Sequence, residues 1–151
     1  MGKIGHIPAA TGSQDIDDLI DALYHRKERI RQAAAWSLGQ RGVRAAVPAL
    51  LAALRDPDWL VQRNAIHALG KIGDASAVAR LCKFLKQADA NLRAEIAWAL
   101  GEIGDAAALP HLEKCLCDET PTTLPKFEGL TVGGVMHNAK LKIQNVKTPL
   151  P

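Results

Sequence analysis

The chain has 151 residues, 48% of them hydrophobic but only 4% aromatic, with a formal net charge of +3. That length suits one domain with a real core, and an apolar content dominated by Ala and Leu suits closely packed helices. The charge is too small to imply a polyanionic partner by itself, and no run of about 18 apolar residues is present to span a membrane.

The opening "MGKIGHIPAATG" lacks an apolar signal core, so a cytoplasmic protein is expected. Three cysteines without disulfide spacing point to reduced thiols. "GKIGH" (2–6) repeats the "GKIGD" of 70–74, so residues 1–14 read as an extension or as the worn end of a preceding unit.

From residue 15 the chain is periodic. Gly39, Gly70 and Gly101 are 31 residues apart, and so are Gly42, Gly73 and Gly104. Leu23, Leu54 and Leu85 share that register, as do Ile30, Val61 and Leu92, and Leu38, Leu69 and Leu100. Such a gapless repeat marks a solenoid. The units are 15–45, 46–76 and 77–107, with a fourth starting at 108.

Each unit reads as two helices. In "AVPALLAALRD" (46–56), Val47, Leu50, Leu51 and Leu54 form one apolar face, and Pro48 fits the first turn. "DPDW" (56–59) breaks the helix, with Asp58 as the expected N-cap of a second helix over 59–69. Val61, Ala65 and Leu69 point inward, and Gly70 and Gly73 are expected to end the helix and turn the chain.

"ALPHLEKCLCD" (108–118) begins the fourth unit, with Leu109, Leu112 and Leu116 in register. The register then fails in a Pro- and Gly-containing loop that opens the segment 119–151. A capping helix over 135–146 is expected, with Val135, Ala139, Ile143 and Val146 inward; a hairpin turning at Gly133-Gly134 is the competing reading.

The motif in "DPDWLVQRNAIHALGKIGD" (56–74) and "ADANLRAEIAWALGEIGD" (88–105) resembles the HEAT-like repeats of the phycobilisome-lyase family. The resemblance covers roughly 15–118 and implies an all-α fold, a right-handed α-solenoid whose second helices line the concave side. It also implies an arginine that bridges neighbouring units. Arg31 and Arg93 keep it, whereas Gln62 replaces it and predicts a weaker junction.

The 3.6-residue period places Arg29, Gln32, Ala33, Trp36 and Gln40 outward on that concave side in unit one. Leu60, Arg63, Asn64, His67 and Lys71 follow in unit two, then Asn91, Ala94, Glu95, Trp98 and Glu102 in unit three. Trp36, His67 and Trp98 share one repeat position, so they are expected to stand proud about 10 Å apart, the usual helix spacing. Tryptophan with arginine is the composition of a binding hot spot. The plainer reading is that each ring packs on the next unit. Trp59, beside the turn, reads as a rim packing residue.

Catalytic and metal sites are not expected. No His is followed by Glu, so the paired His-Glu steps of iron-containing hydroxylase relatives are missing. Cys115 and Cys117 point to different sides of a helix, and Cys82 reads as a small hydrophobe. The pair His111 and Cys115, one turn apart, is better explained structurally. The basic run "HRKERIR" (25–31) invites nucleic acid, but Glu28, Glu95 and Glu102 interrupt the field.

The expectation is a non-catalytic scaffold or accessory module, without cofactor or metal, that binds another protein on its Trp-lined concave face. The alternative is a bilin lyase or related chromophore-handling subunit, whose groove would take a bilin or a bilin-bearing protein. A nucleic-acid-binding solenoid comes third.

Overall fold

The computed structural model describes residues 13–146. The readings of residues 2–6 and of the side chain of Val146 fall outside the residues and side chains described. Eight helices follow in order: α1 (Ser13–Ala22), α2 (Glu28–Gln40), α3 (Val47–Ala53), α4 (Trp59–Ile72), α5 (Val78–Phe84), α6 (Ala90–Ile103), α7 (Leu109–Lys114) and α8 (Val132–Val146). Short 3₁₀ turns lead into α3, α5 and α7. Among the described residues there is no strand, only an isolated bridge between Pro121 and Thr131.

The fold is an α-solenoid of helical hairpins. The second helices α2, α4, α6 and α8 pack closely along their length, whereas the first helices touch one another little. A layer packed more tightly than its partner layer bends the array, so the second helices form the concave side. Between the layers lie Leu38, Leu50, Leu69, Leu81, Leu100 and Leu112, all fully buried. Each such side chain contributes roughly 1.5–3 kcal/mol of transfer free energy.

Local chemistry sets the helix ends. Asp58 and Asp89 cap α4 and α6, accepting from the Val61 N–H at 3.0 Å and the Leu92 N–H at 2.9 Å. Each cap stabilises its helix by about 1 kcal/mol. At the other ends Gly73 and Gly104 adopt φ of 70° and 74°, where a Cβ would be strained.

The first glycine of each unit does something else, which corrects the sequence reading. Gly70 lies inside α4, which runs on to Ile72 rather than stopping at 69. A Cβ on Gly70 would stand 2.9 Å from the Ala99 Cα and 2.8 Å from the Trp98 ring. Gly39 meets the Ala68 Cα at 2.6 Å, and Gly101 the Ala139 Cα at 3.1 Å. These glycines let successive second helices approach backbone to backbone.

That contact also shows how the fourth unit is built. Ala68 and Ala99 each follow their glycine by 29 residues, but Ala139 follows Gly101 by 38. The fourth unit is therefore a hairpin with nine extra residues between its helices. Residues 132–146 are helical rather than a β-hairpin, starting three residues before the expected 135, with Val135, Ala139 and Ile143 buried. Gly133 allows the close start: a Cβ there would lie 2.2 Å from the Leu116 carbonyl oxygen.

The inserted loop is itself ordered. Val132 N–H donates to the Thr120 carbonyl at 2.9 Å and Thr122 N–H to the Leu130 carbonyl at 3.2 Å, which closes its base. Leu124 and Phe127 are buried and anchor it to the core. It folds back onto the concave face of unit three.

Candidate functional site

The 31-residue register puts Trp36 on α2, His67 on α4 and Trp98 on α6 at one level of the concave face. Their rings do not stand apart at the helix spacing, as expected from sequence, but lean together. Trp36 and His67 stack with centroids 5.3 Å apart and an interplanar angle of 17°. His67 and Trp98 stack at 4.6 Å and 6°. Both spacings fall in the range in which aromatic pairs attract beyond their area burial.

The run ends differently on its two sides. Lys126, from the inserted loop, places its Nζ 3.5 Å from the centre of the Trp98 ring, a cation–π contact. Trp36, at the opposite end, is 49% exposed. On α4, at the repeat position of Arg29, Leu60 is 43% exposed.

Beneath the rings lies a charge cluster centred on Glu95, whose side chain is fully buried. Arg63 Nε donates to Oε1 at 3.1 Å and Lys126 Nζ to Oε2 at 2.8 Å. His67 Nδ1 is 4.0 Å from Oε2. A buried carboxylate is tolerated when paired and hydrogen-bonded, and here both oxygens are taken. Burial, then the Lys126 charge, pushes the His67 pKa below its ordinary value, with Glu95 opposing. Burial likewise lowers the Lys126 pKa, against the stabilising bond to Glu95.

Several expected outward residues are therefore not free. Glu95 and Ala94 are buried, because the inserted loop covers this part of the face. Asn91 Nδ2 donates to Thr123 Oγ1 at 2.7 Å and its Oδ1 accepts from the Thr123 N–H at 2.8 Å. Glu102 pairs with Lys142 of α8. Trp98 is half-buried between His67 and Lys126. In units one and two, Gln32 Nε2 donates to Asp58 Oδ1 at 2.8 Å and Asn64 Nδ2 to the Gln32 carbonyl at 3.1 Å. Arg29, Trp36, Gln40, Leu60 and Lys71 remain exposed.

Lys126 and Thr123 escape sequence reading because they lie in the stretch where the repeat register fails. A length signal did exist: the fourth unit is nine residues too long, and a loop of that size beside a groove has somewhere to fold. Trp59 is a half-buried rim residue whose Nε1 donates to Asp89 Oδ2 at 2.8 Å, tying unit two to unit three.

Part of the basic run 25–31 is structural. Arg31 bridges to Asp56 of the next unit through Nε at 2.7 Å and a second nitrogen at 2.9 Å, and also donates to the carbonyls of His25 and Arg26. Arg93 likewise reaches Asp118 at 2.9 Å. Gln62 instead donates to the Leu54 carbonyl at 3.2 Å, inside its own unit.

No helix among the described residues is long and apolar enough to cross a membrane, and none of their His, Cys, Asp and Glu side chains form a group able to hold a metal. Cys82 is buried, and that burial raises its thiol pKa to about 11; Cys117 is exposed.

Comparison with known proteins fits this geometry. The model of the HEAT repeats matches residues 16–91 and 73–124. Among solved structures, a chain of the complex of CpcE and CpcF of phycocyanin lyase from Nostoc sp. PCC7120 superposes with a TM-score of 0.71 at 30% sequence identity. The match covers 94% of this chain but only 57% of that one. Curated proteins give no significant match. The protein belongs to the HEAT-repeat family, in the HEAT-like form of the phycobilisome-lyase type.

Proposed function

We propose that the protein is a non-catalytic binding module that docks a protein partner on the open, N-terminal half of its concave face. The observation that carries this reading is Trp36, which ends a stacked aromatic run yet stays about half exposed, on the face that also carries the exposed Arg29 and Leu60. Trp and Arg are the residue types enriched among interface anchors. The rigidity of the stack supports it as well, since a preorganised anchor loses little freedom on binding. The similar solved structure is of a chain seen in complex with a second protein, which agrees in kind.

The test is a pull-down from the source organism comparing wild type with Trp36→Ala/Leu60→Ala. Both side chains are exposed, so the double variant keeps its fold by circular dichroism. A protein retained by wild type and lost by the variant supports the reading, and equal recovery of every partner overturns it.

A second reading is favoured by the likeness to a chain of phycocyanin lyase. Here the same half of the face handles a bilin or the protein that bears it. Absorbance titration with a free bilin separates the two. A saturable spectral shift on wild type that is lost in the double variant favours chromophore handling, and an unchanged spectrum leaves the protein-docking reading.

A further inference from the structure

One junction between units differs sharply from the others. Between units one and two Arg31 is stapled to Asp56, and between units three and four Arg93 is stapled to Asp118. Between units two and three both members change together: Gln62 stands for the arginine and Gln87 for the aspartate. A cleft opens at this junction between α3 and α5, floored by Leu51, Leu54 and Phe84. Its rim is Arg55, Arg80 and Lys83, with Gln87 at the edge.

These three cations are exposed, and none forms an ion pair among the described residues. The equivalent positions one unit earlier are Tyr24, Ala49 and Ala52 beside Asp56, which carry no positive charge. One unit later they are Lys86, His111 and Lys114, but Asp118 is retained there. Only the middle junction combines a basic rim, an aromatic floor and the loss of the acid. The change removes this staple, while Trp59 to Asp89 and Arg63 to Glu95 still tie units two and three together, and it leaves the three cations without a carboxylate at the rim.

The geometry points to a second docking site, on the outer layer, for an acidic segment of a partner protein that inserts one large apolar side chain between carboxylates. The carboxylates meet Arg55, Arg80 and Lys83, and the apolar anchor sits on Leu51 and Phe84. Charge complementarity selects the acidic partner. The recessed floor selects a peptide over a lipid surface: Leu54 is buried, Leu51 and Phe84 are half-buried, and the exposed large apolar residues (Tyr24, Trp36, Leu60, Leu130 and Leu141) lie elsewhere. A membrane surface requires apolar groups that protrude.

The probe is a fluorescein-labelled peptide with one phenylalanine flanked by two glutamates on each side, read by anisotropy at low salt. Saturable binding to wild type is expected, weakened roughly tenfold by Arg80→Glu/Lys83→Glu. Gln87→Asp weakens it several-fold by returning a carboxylate to the rim. Trp36→Ala/Leu60→Ala leaves it unchanged, so the result is independent of the concave face. The proposal is overturned by no binding, by equal binding of a peptide with glutamine in place of glutamate, or by equal binding to the charge-reversed variant. It is also overturned if phosphatidylserine-containing vesicles bind and the peptide does not.

Discussion

Trp36 and Trp98 occupy the same repeat position two units apart, yet one ends the stack in the open and the other is closed between an imidazole and an ammonium. The helices that hold them are built alike. What differs is the neighbour: unit three lies under the inserted loop of unit four, which brings Lys126 onto the ring and closes Glu95 from water. The same residue type thus carries stability in one unit and an available surface in another, and repeat position alone does not say which.

Replacing the two tryptophans breaks this contrast most directly. Trp98→Ala removes a ring packed against Gly70, His67 and Lys126 and should cost about 3 kcal/mol in urea unfolding. Trp36→Ala should cost less than about 1 kcal/mol, because half of the ring already faces water. Equal costs would mean that the two ends are equally covered.

Glu95 tests the covered half from below. Glu95→Ala strands Arg63 and Lys126, both partly exposed and able to rehydrate, so the expected loss is about 2 kcal/mol by denaturant midpoint. A loss below that of Trp36→Ala would show that the cluster contributes nothing net.

Lys126→Ala should have a smaller effect, about 1 kcal/mol, from one cation–π contact and one ion pair. The sharper readout is spectroscopic: uncovering Trp98 should increase acrylamide quenching of tryptophan fluorescence. Unchanged quenching would mean that the loop covers the ring without the lysine.

The smallest effect expected is that of pH. His67 titrates below its ordinary value of 6.5 in the folded chain, chiefly through burial and then the Lys126 charge. As the pH falls, the unfolded chain takes up that proton first. The His67 contribution is therefore complete above about pH 6.5, declines below it, and levels off once the folded imidazole is protonated. His67→Gln should flatten this part of the stability profile between pH 7 and 5; an identical slope would assign it to other groups.

Much of the fold was legible because its causes are local. Asp58 caps α4 through its own side chain, Gly73 and Gly104 hold a left-handed turn, and Leu38, Leu69 and Leu100 recur with the repeat. Gly70 was misassigned because a turn glycine and a packing glycine look the same in sequence. Only the position of Ala99 and Trp98 across the interface distinguishes them. Glu95 was misplaced for a similar reason: its place on α6 is outward by helical period, but the covering loop has no period of its own.

The sequence by itself therefore determined the solenoid, its repeat length and the alignment of Trp36, His67 and Trp98, since spacing along a helix dictates which side chains share a face. Only the tertiary structure decided that the rings stack, that Lys126 caps them and that Glu95 is enclosed. Those contacts join residues about one repeat or more apart, with the lysine carried by an aperiodic loop, so they depend on how helices and loop meet in space.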